Sequence, residues 1–498
     1  MKQLYLILSI FCFQLSIAQS VKIIDSETNE AIPFANIRIN SETFVSNAEG
    51  YFSIPFSADA DSNVEISYIG YRNLQVPIHA LQKQDYIVKM APATYSLDTV
   101  IVPNKRPDPQ QIMAEVKKRL KDNYLTDQKP LKNTIFYRQT TSFKPSKFDF
   151  EIDKSSGFTS KQLATTNRDL EKYAKSLISH PPQQFTDVLC NYYSAFKQKD
   201  GKPTYEPKLE VIKATKLSDE KRSTDIAELQ KGLGKIVLQH LDTTKYYRIK
   251  SGWFGSRDTI SLRKGFTNKN QKPRTKVSSS KSSLMSFMVM NNPVNGRVDF
   301  ITNHMNYDFE YEGALYSAEN EFIYVLNFKP RKSKAKYTGK IYVSETDYAV
   351  VRTDYTLGEG KKLSGVNLKL ILGVKSAENV SNGTLIYKKG TNSEKYYLQY
   401  AAVEDGQYIY INRPIKFIEL SDEEKDVVAF DLKVEVNTFE RMEFLNISRE
   451  TITENAFDQY NEQDFAYIPL KAYNPELWKE YGVIEPVEEM KRFKVAEQ

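Results

Sequence analysis

Between Ala35 and Asn40 the chain alternates without a break: Ala35, Ile37 and Ile39 are apolar, and Asn36, Arg38 and Asn40 are polar. A helix would scatter such residues around its axis, whereas a strand with one buried face requires this spacing. The alternation returns at Phe52 and Ile54, and again at Val64, Ile66 and Tyr68. Turn-forming residues separate the runs at Asp25–Glu30, Asn47–Gly50 and Ala58–Asn63. Residues 20–102 therefore read as a compact β-domain of roughly four to seven short strands, arranged as a small sandwich.

The stretch FVSNAEGYFSI, Phe44–Ile54, places one of these turns between two strand-like runs and reads as a hairpin. Asn47 can accept hydrogen bonds from the backbone just after it, and Gly50 permits the positive φ that a tight exit needs.

Three segments, NEAIPFANIRI, FVSNAEGYFSI and VEISYIGYRNLQV, occur in this order and spacing. Together they resemble the carboxypeptidase regulatory-like domain, a transthyretin-like β-sandwich. The segment SLDTVIV, Ser96–Val102, resembles the one that follows this domain in many exported outer-membrane proteins, including TonB-dependent receptors. The resemblance implies an appended module and a cell-envelope setting, not a reaction. In carboxypeptidases the zinc belongs to a separate domain, with an H-x-x-E pair and a distant His. The histidines of this chain are His79, His180, His240 and His304, and none has Glu three residues on, so that zinc site is absent. Asn47 stands where many family members carry Asp, so no cation is expected at this turn. No cofactor and no metal are expected elsewhere.

The N-terminus has the form of an export signal over residues 1–19. Lys2 supplies a positive charge, Leu4–Phe13 is almost entirely apolar, and Ser16-Ile17-Ala18 offers small residues at the positions a signal peptidase inspects, with cleavage expected after Ala18 or Gln19. The apolar run is only about half the roughly 20 residues a spanning helix needs. Cys12 lies between Phe11 and Phe13, without the small residues that precede a lipid-modified cysteine. After cleavage Cys190 is the remaining cysteine, so no internal disulfide is expected. Loss of Lys2 takes the formal charge from +6 to +5, too weak a bias over 498 residues to argue for nucleic acid.

Residues 103–130 read as a linker and a helix. Asp108 can cap it, Pro109 suits its first position, Gln111 completes a capping-box pattern, and Ile112, Val116, Leu120 and Tyr124 form one apolar stripe. It runs into NTIFYRQ, Asn133–Gln139, which resembles the start of the same region in related envelope proteins of unassigned function. A β-rich domain over 131–471 follows, with helices expected near 206–241, where Ile226, Leu229, Leu233, Ile236, Val237 and His240 fall near one face. Strand patterns return at Gly339–Tyr355 and at Val428, Phe430, Leu432, Val434 and Val436. The hairpin GKIYVSETDYAVVRTDY resembles a unit of the lipoprotein-carrier-like half-barrels, in which a curved sheet wraps a helix. That resemblance implies a concave apolar face able to hold an acyl chain or a hydrophobic peptide. Residues 472–498, with AYNPELWKEYGVIEP, resemble the ending of the same unassigned envelope proteins and read as a docking tail, in which Pro475 starts a short helix and Leu477, Trp478 and Tyr481 pack on the body. The fold class is thus mainly β with some helix, a β-sandwich plus an α+β unit, with the larger sheet possible as a half-barrel.

No constellation selects a reaction. G-x-S-x-G is missing, and no glycine-rich phosphate loop or cysteine-rich metal site occurs. Cys190, with His180 or His304, is one candidate nucleophile, although a cysteine among Leu and aromatic residues reads better as a small buried hydrophobe. Asp308, Glu310 and Glu312 share one face of a strand and are the candidate carboxylate pair, or else a solvated face. Arg263–Lys281 carries seven basic residues and no acid, and reads as an exposed, mobile loop that could meet anionic lipid or glycan; Lys329–Lys336 is a shorter cluster of the same kind. The expectation is a non-enzymatic exported envelope protein, periplasmic or outer-membrane associated, that binds a hydrophobic or glycan ligand or a partner protein. The alternatives are an accessory or remnant of a TonB-linked transport system, whose front end it resembles, and a hydrolase with an unrecognised site.

Overall fold

The computed structural model describes residues 20–495, leaving out 94–106, 125–128, 156–158, 220–245, 252–253, 256–259, 262–274, 318–320, 391–392, 420–426 and the single positions 41, 57, 298, 394 and 482. The expected signal segment, the SLDTVIV segment, His240 and most of the basic run from Arg263 lie outside the described residues.

The first unit is a two-layer sandwich. Its strands are β1 (Ser20–Asp25), β2 (Asn36–Ile39), β3 (Glu42–Val45), β4 (Tyr51–Ser53), β5 (Asn63–Ser67), β6 (Leu74–Pro77) and β7 (Ile87–Met90), with a short helix α1 (Ile78–Gln82). One sheet has the order β4-β1-β7 and the other β3-β2-β5-β6. The alternating residues do what their spacing requires: Ala35, Ile37 and Ile39 are buried, facing Val21, Ile23, Phe52, Val64, Ile66 and Val88 in one core.

Phe44–Ile54 is not a hairpin, because β3 and β4 belong to different sheets and the Asn47–Gly50 turn carries the chain across the sandwich edge. Its local chemistry is as expected: Asn47 Oδ1 accepts from the backbone N–H of Glu49 and Tyr51, each at 2.9 Å. Gly50 has φ +80°, and a Cβ there would lie 2.8 Å from the Ile23 carbonyl oxygen.

The second unit is one long, open sheet. Helix α2 (Pro109–Tyr124) leads into β8 (Leu131–Ser155), α3 (Ser160–Ser179), β9 (Gln183–Lys199) and β10 (Lys202–Ser218). After β11 (Tyr246–Ser251), β12 (Phe254–Gly255) and β13 (Ile260–Ser261) come α4 (Val277–Met290) and α5 (Asp299–Thr302). Then follow β14 (Tyr307–Tyr316), β15 (Phe322–Pro330), β16 (Tyr337–Ser344), β17 (Val350–Leu357), β18 (Gly365–Leu368), α6 (Lys369–Leu372), β19 (Val374–Lys389), β20 (Tyr396–Glu419) and β21 (Val427–Thr451). The chain ends with α7 (Glu454–Gln459), β22 (Ile468–Leu470) and α8 (Glu488–Lys491). The order is β14-β15-β16-β17-β19-β20-β21-β8-β9-β10-β22, with β11 added on β20 and β18 on β19. Neighbours run antiparallel except β10 and β22, and the sheet does not close on itself. The expected strand residues 428–436 fall in β21, and the 339–355 hairpin is β16–β17.

Residues 206–218, which the sequence pattern places in a helical region, are part of β10 instead. The strand's alternation is broken by a bulge between Val211 and Lys213, which shifts the pattern away from period two. Residues 220–241 lie outside the described residues. The end of the basic run is also corrected: Val277–Lys281 is the first turn of α4, and Lys281 pairs with Glu462 at 2.8 Å.

Both faces of the sheet centre are covered, which adjacent residues show. Ile135, Tyr137, Cys190 and Phe444 point into a core shared with α2, α4 and α5, whereas Phe136, Leu189 and Leu445 point the other way, onto Trp478 and Ile484 of the C-terminal segment and Val45 of the sandwich. Asp108 Oδ1 accepts from the Gln110 backbone N–H, and Ile112, Val116, Leu120 and Tyr124 are the buried stripe of α2. Farther along the long strands, α3 lays Leu170, Ala174 and Leu177 on Phe143, Phe148, Phe150 and the alternating Val428–Val436 set. The C-terminal segment joins the two units: Asn47 Nδ2 donates to Pro486 O at 3.3 Å, and the Phe56 backbone N–H donates to Lys479 O at 3.1 Å.

Candidate functional site

The helix-covered face is not filled completely. Where α2 and α4 end over the β8–β9–β21–β20 edge, a cleft of about 260 Å³ remains. Met285, Met288 and Val289 of α4 contribute to the lining, together with six tyrosines, Tyr124, Tyr192, Tyr205, Tyr387, Tyr396 and Tyr397. Their rings are held by hydroxyl bonds. Tyr124 donates to Val350 O at 2.6 Å, Tyr387 to Asn291 O at 2.8 Å, and Tyr396 to Asp347 Oδ2 at 3.0 Å; the Tyr192 and Tyr205 hydroxyls lie 3.2 Å apart. Burial pushes the Tyr124, Tyr192 and Tyr387 phenols well above their ordinary range, so they are neutral donors and not bases.

The polar groups of the cleft come from strand ends. Asn446 on β21 donates through Nδ2 to Asn133 Oδ1 on β8 at 3.0 Å. Its own Oδ1 is buried without a partner, although the residue lines the cleft. A buried carbonyl oxygen left unpaired costs about 1–3 kcal/mol. Arg449, three residues further along β21, stacks its guanidinium over Tyr397 at 4.7 Å, and Lys395, also lining the cleft, donates to the Asp122 carbonyl. Among the described residues lining the cleft there is no carboxylate, histidine or cysteine.

The residues singled out by sequence lie elsewhere and are not brought together. Cys190 is in the main core, its thiol donating to Ile135 O at 3.6 Å and pushed up in pKa by burial. His180 caps the end of exposed α3, and His304 sits in a turn between α5 and β14, its pKa lowered by burial and by Lys117. His79 lies on the sandwich, 3.4 Å from Asp61. Asp308, Glu310 and Glu312 do line one side of β14, but Glu312 pairs with Lys340 at 2.7 Å and Asp308 approaches Arg331 at 3.8 Å, as on a solvated strand. Among the described residues no cluster of His, Cys, Asp and Glu can hold a metal ion. Sequence reasoning missed the cleft because its residues come from eight separate elements, and the abundance of tyrosine, 32 in the chain, was the one available signal.

The family model of the CarboxypepD_reg-like domain matches residues 21–102. Residues 21–102 are a carboxypeptidase regulatory-like domain. The match ends before α2, so the regulatory-like domain accounts for the sandwich and not for the sheet that carries the cleft. No curated protein matches the chain.

Proposed function

We propose that this is a non-enzymatic protein of the cell envelope that holds a small polar ligand, a glycan end group, in the tyrosine-walled cleft. The observation that carries the reading is Asn446, a residue that lines the cleft and whose Oδ1 is a buried acceptor with no donor of its own. Sugar rings stack their C–H faces on aromatic rings and present hydroxyl or amide donors to such an oxygen, while an acyl chain would leave it unpaired. The volume suits one or two rings of a longer ligand, being just under the roughly 300 Å³ at which small-molecule sites begin. Export is supported by Lys2 and the apolar Leu4–Phe13 run, and a binding role by the neutral phenols and amides that line the cleft.

The test is native purification from the envelope followed by mass spectrometry of whatever small molecule accompanies the protein, with Met288→Trp, which fills the cleft, as control. A saccharide released from the wild type and missing from Met288→Trp supports the reading. A fatty acyl species in its place, or a ligand that survives the substitution, overturns it.

A further inference from the structure

Five of the thirteen exposed large apolar side chains among the described residues fall within one short excursion: Leu363, Val366, Leu368, Leu370 and Ile371. Leu370 is 100% exposed and Ile371 80%. Leu363 leads into β18 and the other four sit on β18 and α6, a flap that pairs with the first residues of β19. The flap is a built structure. Leu363 N–H donates to Glu378 O and Glu378 N–H to Ser364 O, closing its base at 2.9 and 3.0 Å. At the tip Gly373, with φ +64°, receives the Asn412 N–H at 2.8 Å, and a Cβ there would strike the Asn412 carbonyl. The apolar side chains are therefore held outward by backbone bonds, when collapse onto the sheet would hide them.

Charge surrounds the apolar tip. Lys361, Lys362, Lys369 and Lys375 lie in the flap and its return strand, against Glu359 and Glu378. Lys369 is poised over the Tyr410 ring at 4.2 Å and Lys375 over Tyr408 at 5.3 Å, so two phenol rings stand just behind the tip. Leucine and isoleucine at the extremity, tyrosines behind them and lysines around both is the order of groups met on entering a bilayer: acyl chains, interface, anionic head groups.

We propose that the 361–373 flap is a membrane-surface anchor, inserting Leu370 and Ile371 among the acyl chains of an anionic bilayer while the lysines contact lipid phosphates. The cleft lies at the opposite end of β19, on the order of 40 Å away at strand rise, so the anchored protein presents its cleft away from the lipid. This inference does not depend on the cleft's ligand.

The experiment is vesicle flotation of the full-length chain with phosphatidylethanolamine–phosphatidylglycerol vesicles and with phosphatidylcholine vesicles. Leu370→Ser/Ile371→Ser alters side chains with little packing to lose, so folding is preserved, as a matching melting curve verifies. The wild type is expected to float with the anionic vesicles. The double variant should bind at least tenfold more weakly, since each buried aliphatic side chain is worth about one decade. Lys361→Gln/Lys362→Gln should weaken binding and its dependence on salt. Wild type that fails to float, or Leu370→Ser/Ile371→Ser that floats equally, overturns the proposal. A wild-type dimer in solution that Leu370→Ser/Ile371→Ser abolishes, with no flotation, assigns the patch to self-association instead and also overturns it.

Discussion

Replacing Asp187 by Asn should reveal what holds the sheet centre together. Arg138 on β8 and Asp187 on β9 are register partners, joined by two parallel hydrogen bonds of 2.8 Å with both side chains buried. Burial works against the Arg138 charge, but the Asp187 and Glu443 carboxylates outweigh it and raise the pKa above its ordinary value. Breaking a buried pair by removing one partner typically costs about 3–5 kcal/mol, because a charge is stranded out of water. Glu443, on the adjacent β21, retains part of the compensation, which places Asp187→Asn near the lower end, about 3 kcal/mol. Arg138→Met/Asp187→Leu removes the desolvation together with the attraction and should cost no more than about 1 kcal/mol. Arg441, 3.0 Å from Glu443, keeps that carboxylate paired in the double variant. Urea unfolding followed by Trp478 fluorescence reports the region directly, since that ring meets Phe136, two residues from Arg138, at 5.5 Å. A Trp253→Phe background leaves Trp478 as the sole indole. An Asp187→Asn loss below about 1 kcal/mol, or a double variant as unstable as the single, would refute the argument from a stranded charge.

Three further outcomes follow from the packing. Gly50→Val forces a β-branched residue to φ +80° and a Cβ against the Ile23 carbonyl, so it should cost about 2 kcal/mol or more, read as a lowered urea midpoint. Trp478→Ala removes the ring that seats the C-terminal segment on Phe136 and should cost about 3–5 kcal/mol, with limited proteolysis cutting first near 472–486. His304, whose pKa is lowered in the fold from its ordinary 6.5, binds its proton more readily when unfolded; its contribution is present above pH 6.5 and lost as pH falls below it. A His304→Gln variant should accordingly flatten the fall in melting temperature below pH 6.5, and an unchanged slope would remove His304 from the account.

Local patterns were legible in the sequence wherever one physical requirement acted alone. The alternation at Ala35–Ile39 required a half-buried strand, and the four-residue spacing from Ile112 to Tyr124 required a helix with one packed face. Where two requirements competed, reading failed. In β10 the bulge after Val211 broke the period, and what remained did not look like a strand. Helix α4, VSSSKSSLMSFMVM, buries only Val277 and Leu284 fully, so its serine-rich face gave no stripe to find. The Asn47–Gly50 turn was legible as a turn, but not as a crossing between sheets, since that depends on which strands β3 and β4 choose as partners. The cleft is the extreme case: Asn446 and Asn133 are 313 residues apart, and nothing local in either segment records that the β8–β21 ladder brings them to 3.0 Å.

Isothermal titration calorimetry of the full chain, comparing chitobiose with decanoate as probes for wild type and Asn446→Leu, tests the cleft most directly. The account predicts saturable heat with the saccharide on the wild type, loss of at least tenfold in affinity in Asn446→Leu as the buried acceptor disappears, and no decanoate binding. Decanoate binding in place of the saccharide, or saccharide binding that Asn446→Leu leaves unchanged, would contradict it.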